Sequence, residues 1–312
     1  MKNTDLKSKF LGAMIGSALG DAIGELAFMF PQEELLRFEL DQVSEVRYTD
    51  DTAMALGLAE SIINRGCIDE QHLGKTFSDN FEREPWRGYA SGPPTVFYQV
   101  KQTAITYSKA AQGLFGGGGS LGNGAAMRIV PVGLFFHDSP DLYDQACASA
   151  RVTHAHPVGM DGAAVQAFAV ARAVKLDPDA EFPFENPAQS LIDFARTPEV
   201  REKMRIIKQS IAQRIFPKAA ADLIGRTVAV HESMPFAVYS FLRHSQSFED
   251  CIFCAIMNGG DRDTLGAMAG AISGAYLGIQ AIPQSLRQKL ENLTDIEQLA
   301  SSLAEAIRVP PK

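Results

Sequence analysis

Two short acidic clusters carry the clearest chemical signal in this sequence: Thr49-Asp50-Asp51-Thr52 and Asp261-Arg262-Asp263-Thr264. Each stands just before a helical pattern, and they echo one another as Asp51-Thr52-Ala53-Met54-Ala55 and Asp263-Thr264-Leu265-Gly266-Ala267-Met268-Ala269. Asp and Thr at a helix start serve as caps, because their oxygens accept otherwise unpaired backbone N–H groups. One cap needs one acceptor, yet one cluster holds adjacent carboxylates and the other an i, i+2 pair. Like charges placed so closely cost stability unless a cation sits among them. Carboxylate and hydroxyl oxygens are hard ligands, suited to Mg²⁺, Mn²⁺ or Ca²⁺ rather than Zn²⁺. Carboxylates from two helix starts could hold two such ions roughly 4 Å apart, an arrangement that serves hydrolysis. On spacing alone, capping and metal binding are both open.

Three further segments bear on chemistry. The run from Phe115 to Arg128 is glycine-rich and leads toward a helical pattern, so its backbone N–H groups and a helix dipole could receive a phosphate. A merely flexible loop is the alternative, weakened by Asn123 and Arg128 where the helical pattern begins; no Gly-Lys-Ser/Thr follows, so this is not a Walker motif. His154 and His156 are two residues apart and cannot share a helix face, which favours a structural or substrate-contacting role over metal ligation. His231-Glu232-Ser233-Met234-Pro235 reads as a helix start with proline in its first turn.

These segments need a scaffold, and the sequence supplies helices. Residues 51–63 place Met54, Ala55, Leu58, Ala59 and Ile62 at helical spacing. Residues 124–136, 141–151, 158–173, 231–243 and 248–257 behave similarly, and no bounded run alternates as a strand would. An all-α fold is expected, built from unequal helices. Gly270, Gly274 and Gly278 recur every fourth residue beside Ala267 and Ala271, a face that lets another backbone come close. Irregular stretches fall at 83–94, 113–124 and 176–188. None reads as an interdomain linker, so residues 1–312 are expected to form a single domain.

Composition narrows the function classes. Hydrophobic residues make up 46% of 312, enough for a large core, and the formal charge of −8 argues against a nucleic-acid-coating surface. Four cysteines are too few for a disulfide scaffold; Cys251 and Cys254 form a lone C-x-x-C, read as small apolar residues on a buried helix. Residues 10–20 loosely resemble a secretory segment, but Asp21 follows and the apolar pattern resumes beyond it. Residues 264–286 are uncharged and long enough to span a bilayer, yet rich in Gly, Ala and Ser. Both read as buried helices, and a cytoplasmic monomer without membrane or nucleic-acid partners is expected.

Taken in order, Gly20-Asp21-Ala22-Ile23-Gly24, Tyr48-Thr49-Asp50-Asp51-Thr52-Ala53-Met54, Gly122-Asn123-Gly124-Ala125-Ala126-Met127-Arg128, Thr153-His154, Glu232-Ser233-x-Pro235 and Gly259-Gly260-Asp261-Arg262-Asp263-Thr264 resemble the ADP-ribosylglycohydrolase family. That family includes the enzyme that removes ADP-ribose from dinitrogen reductase. The resemblance runs from about residue 10 to 280 and is nearest the branch that cleaves serine-linked ADP-ribose. It implies a single orthogonal multi-helix bundle with two Mg²⁺ ions, replaceable by Mn²⁺, in a central cleft. It implies metal ligation by Thr49, Asp50, Asp51, Asp261, Asp263 and Thr264, with Asp261 and Asp263 essential to catalysis. Gly119, Ser120, Gly122 and Asn123 would cradle the diphosphate, and Phe115 and His154 would touch the ligand. The implied substrate is an ADP-ribosylated protein or an ADP-ribose derivative.

The sequence departs from that pattern at one important place. The branch's catalytic glutamate lies seven residues after the Gly-Asp aspartate, where this chain has Phe28. Glu25 is the nearest acid and the expected substitute, ahead of Glu33 and Glu34. Leu121 stands where an aromatic is frequent. Rival readings are a hydrolase for arginine-linked ADP-ribose, O-acetyl-ADP-ribose or another nucleoside-diphosphate sugar, a non-catalytic ADP-ribose-binding module, and a structural protein reusing the fold.

Overall fold

A computed structural model describes residues 3–307 apart from residue 184; the side chains of residues 3–5, 185 and 186 are outside that description. The chain opens with α1 (Asn3–Met29), α2 (Glu33–Gln42), α3 (Asp50–Arg65), α4 (Glu70–Arg83) and α5 (Gly92–Thr103). Next come α6 (Tyr107–Gly117), α7 (Val130–Phe135), α8 (Leu142–Arg151) and α9 (Pro157–Lys175). The remainder is α10 (Glu185–Phe194), α11 (Pro198–Ala212), α12 (Pro217–Ile224), α13 (Val230–Arg243), α14 (Phe248–Ile256), α15 (Arg262–Leu277), α16 (Gln284–Arg287) and α17 (Leu293–Ala306). Two isolated bridges are the sole β pairings among the described residues, so the all-α expectation holds.

The helices expected near 51–63, 141–151, 158–173, 231–243 and 248–257 are α3, α8, α9, α13 and α14. Residues 124–136 do not form one helix. A 3₁₀ turn spans Asn123–Ala125, and α7 begins only at Val130 with proline in its first turn. Pro131 has no N–H to donate to the Met127 carbonyl, so a helix cannot run unbroken through this point, though proline is tolerated in the first turn of α7. The Arg128 side chain meanwhile folds back to donate to the Gly124 carbonyl at 3.0 Å. The irregular stretch at 176–188 is also shorter than expected, since α10 starts at Glu185.

Helices α1 and α15 form the centre, antiparallel and nearly backbone to backbone. A Cβ on Gly16 would lie 2.5 Å from the Gly270 carbonyl oxygen, and one on Gly274 would lie 1.9 Å from that of Gly12. Gly20 faces Gly266 in the same way, and Gly24 faces Arg262 and Asp263. Side chains would hold these axes 8–10 Å apart; glycine at four-residue steps removes that spacer. The two helices read as candidate membrane segments are thus this packed pair: 83% of the most apolar stretch in Leu6–Met29 is buried inside the protein. Cys251 and Cys254 are buried on α14, with burial pushing the Cys254 thiol up to about 11, as inert core residues should be.

Candidate active site

The start of α3 is organised from below by α1. Asp21 is the one charged residue between Lys9 and Glu25, and it is fully buried. Its carboxylate accepts from the backbone N–H and hydroxyl of Thr49 and from those of Thr52, at 2.6–3.0 Å. Thr49 is the N-cap of α3 and accepts from the Asp51 N–H. Capping is therefore met without the carboxylates of Asp50 and Asp51. Asp51 Oδ2 lies 3.2 Å from the Thr49 hydroxyl, which it shares with Asp21, while its Oδ1 is buried with no hydrogen-bond partner.

The second cluster shows the same division. Asp261 holds the N-cap position of α15, yet its side chain makes no capping bond. Its Oδ2 instead accepts from Asn123 Nδ2 at 2.6 Å. The turn before it needs Gly260 at φ +81, where a Cβ would fall 2.1 Å from the Arg226 carbonyl oxygen. Asp50, Asp51 and Asp261 therefore do no capping, while Asp263 Oδ1 accepts the Thr264 N–H at 2.9 Å in the first turn of α15.

Opposite them lies the glycine-rich segment, which is strapped down on both sides. Asn123 N–H donates to the Val228 carbonyl and Val230 N–H to that of Leu121. A Cβ on Gly159 would sit 2.5 Å from the Ser120 carbonyl oxygen. The amides of Gly119, Gly122 and Asn123 donate within the protein, which leaves those of Ser120 and Leu121 without a protein acceptor among the described residues. Contrary to the expectation from sequence, this loop leads into a 3₁₀ turn and not an α-helix, so no α-helix dipole starts in it. Phe115 adopts φ +52, a strained conformation for a side-chain-bearing residue, and holds its ring 71% exposed at the rim.

His154 is set by a relay. Arg128, fully buried, donates from Nη2 to the Thr153 hydroxyl at 2.8 Å, and Thr153 Oγ1 lies 2.8 Å from His154 Nδ1. The Thr153 hydroxyl is fully buried and Nδ1 is the one acceptor within reach of its proton among the described residues, so it donates to Nδ1. The ring proton is therefore on Nε2, the nitrogen that faces Gly122. Burial, with the nearby Arg128 charge, drives the imidazole pKa down to about 3, so His154 is a neutral donor. His156 plays a separate part: its Nδ1 accepts from Val158 N–H and caps α9.

These residues line one cleft of about 550 Å³: Asp50, Asp51, Asp261, Asp263 and Thr264 form an acidic wall that meets residues 119–124, Phe115 and His154 at the Asn123–Asp261 hydrogen bond. A volume of that order suits a dinucleotide-sized ligand. The ADP-ribosylglycohydrolase family model matches residues 2–312. The chain belongs to that family. The ADP-ribosylhydrolase ARH3 of Bos taurus and that of Homo sapiens are each 31% identical to it, across 95% of this chain and 92% and 93% of theirs. An Escherichia coli relative, the uncharacterized protein YegU, is 27% identical across 95% of this chain and 96% of its own. A solved structure titled an ADP-ribosylglycohydrolase-related protein complex shares the fold, with a TM-score of 0.74, 24% identity, and coverage of 97% of this chain and 99% of that one.

As an ADP-ribosylglycohydrolase, the chain hydrolyses glycosidic bonds of ADP-ribose. Not every expected residue lines the cleft. Thr49 lies just behind it, and Glu25 lines a second cavity that abuts the first at Asp263 and Gly88. Phe28, Glu33 and Glu34 are exposed on the outer surface. Sequence reasoning gave Asp21 no role of its own, although a lone acid in an apolar helical run is a signal of one. It also gave no role to the wall from Gly88 to Pro93, which carries no polar motif.

The acidic wall of the glycohydrolase is electrostatically strained. Burial, then the Asp21 charge, pushes Asp50 up to about 7; burial, then Asp261, pushes Asp263 up to about 8. Asp51 is likewise raised well above the usual carboxylate range, by burial and by Asp21, Asp263, Asp50 and Asp261 together. A hard divalent cation fits this donor set: crowded carboxylates, threonine hydroxyls and the orphaned Asp51 Oδ1. Among the described residues no three His, Cys, Asp or Glu side chains close into a ready-made shell. Such a shell is not required, because Mg²⁺ keeps several waters and takes substrate oxygens as ligands.

Proposed function

We propose that this glycohydrolase uses two divalent cations, Mg²⁺ with Mn²⁺ as a substitute, to release ADP-ribose from a modified serine side chain of a protein. The observation that carries the reading is the row of carboxylates raising one another's proton affinity at the base of the cleft, with Asp51 Oδ1 buried and unpartnered. Thr49, Asp50, Asp51, Asp261, Asp263 and Thr264 are the residues that would hold the ions, which supply Lewis acidity toward ribose hydroxyls and an attacking water. The serine linkage rests on the Tyr48–Met54 and Gly122–Arg128 motifs and on the relatives named ADP-ribosylhydrolase ARH3.

Within this reading the protein's own groups divide the work. The Ser120 and Leu121 amides and His154 Nε2–H bind the diphosphate, and the exposed Phe115 ring offers a face to the base. Together they place the anomeric carbon of the distal ribose against the acidic wall. The bond from that carbon to the serine oxygen breaks through an oxocarbenium-like state, and water oxygen bonds to the carbon. The serine oxygen keeps the electron pair and takes a proton given up by the attacking water, a relay assigned in this reading to Glu25, which lines the neighbouring cavity with Asp263. The test offers serine- and arginine-ADP-ribosylated peptides with Mg²⁺, with and without chelator. Metal-dependent release from the serine peptide is expected. Release from neither, or release unaffected by chelator, would sink the reading.

A further inference from the structure

The second cavity, about 460 Å³, lies on the other side of the start of α3. Thr49 faces it, whereas Asp50 and Asp51 face the first cleft; Asp263 and Gly88 border both. Gly88, at φ +87, is the ridge between them: a Cβ there would lie 3.8 Å from Thr49 Cβ and 3.9 Å from Asp50 Oδ1. A side chain at this point would stand where the two spaces adjoin, beside Thr49 and Asp50.

The floor of the second cavity is prebuilt. Arg87 stacks over the Tyr48 ring at 4.1 Å and donates to the Tyr48 carbonyl at 3.0 Å. The same guanidinium grips Glu84 with two bonds and pairs with Glu291, which also accepts from the Tyr48 N–H at 2.9 Å. This network fixes the 84–88 loop, yet Trp86 on that loop leaves its indole 72% exposed at the rim. A large apolar ring held at the edge of a polar cavity by an ion-pair network centred on the buried Arg87 is a contact surface in want of a partner.

We propose that this second cavity is the acceptor subsite: it receives the polypeptide segment bearing the modified side chain, and Trp86 packs against that segment. The inference rests on the reading that the first cleft holds ADP-ribose. With the diphosphate on the glycine loop and the anomeric carbon at the acidic wall, whatever is attached to that carbon must continue past Asp263, and the second cavity is the space that adjoins it there. Trp86 is the only tryptophan in the chain, so its emission reports on this cavity alone.

The experiment uses the full chain in the slowly turning Asp261→Asn form, titrated with an ADP-ribosylated peptide, with the same peptide unmodified and with free ADP-ribose. A change in Trp86 emission with the modified peptide, and little with ADP-ribose, is expected. In parallel, Trp86→Ala in the otherwise native enzyme should lower kcat/KM for the peptide relative to that for O-acetyl-ADP-ribose by about tenfold, mostly through KM. An emission unmoved by the modified peptide, or equal losses on both substrates, would overturn the subsite. If native enzyme releases nothing from either substrate while the modified peptide still changes Trp86 emission, the hydrolytic reading fails and the subsite stands.

Discussion

Asp261 and Asp263 lie in the acidic wall, where Asn123 engages one Asp261 oxygen and the Thr264 N–H one Asp263 oxygen, which leaves the second oxygen of each for a cation. Replacing either with Asn removes one anionic ligand at nearly constant shape, and turnover should fall by at least about 100-fold while the thermal transition is kept. Normal activity in either variant would defeat the metal assignment. The relay to His154 gives a second expectation. Thr153→Val cannot donate to Nδ1, so the ring loses its fixed tautomer and ADP-ribose affinity should drop about three- to tenfold, while Thr153→Ser keeps it. Imidazole ¹⁵N shifts would show Nδ1 as acceptor in the native protein and a mixture in the valine variant. The acid clusters could be found from residue types and spacing. The tautomer could not, because it depends on Arg128 reaching a threonine 25 positions away.

For the helices, what the sequence discloses is periodicity, and what it hides is where a helix is interrupted. Patterning identifies α3, α8, α9, α13 and α14, yet it runs through 124–136, where Pro131 and the Arg128 side chain open the backbone. The four-residue glycine spacing on α15 announces a close approach; the matching stripe of Gly12, Gly16, Gly20 and Gly24 on α1 is equally legible, but the sequence does not say that the two face each other. The stripe makes Gly270→Ala severe. Its Cβ would fall 2.0 Å from the Gly16 carbonyl oxygen, and a loss of about 3 kcal/mol or failure to fold is expected in denaturant titration. Gly113 on α6 is the contrast, exposed, with nothing within 4 Å of an added Cβ. Gly113→Ala should raise stability by about 0.5–1 kcal/mol through the unfolded chain.

Across the whole molecule, the crowded carboxylates tie stability to pH and to cations. Asp50 and Asp263 hold protons to about pH 7 and 8 in the folded protein, but lose them near pH 4 when unfolded. Between those limits the folded state binds more protons than the unfolded one, so the metal-free protein loses stability as pH rises from about 4 to 8. A divalent cation neutralises the same charges and counters that loss. The rise in Tm on adding Mg²⁺ should therefore be small at pH 5 and large at pH 8. A shift independent of pH would speak against binding at these carboxylates.

The contact between α1 and α15 joins segments about 250 residues apart, which places it among the most non-local pairings a chain of this length can make. During synthesis, α1 emerges first and waits with its glycine face uncovered until nearly the whole chain has followed. Asp21 cannot be set against Asp263 before then, so no partial chain can hold both acid clusters in place. The nascent protein is thus exposed to misassembly for most of its time on the ribosome, and activity should appear only in the last step, when its two distant halves close on each other.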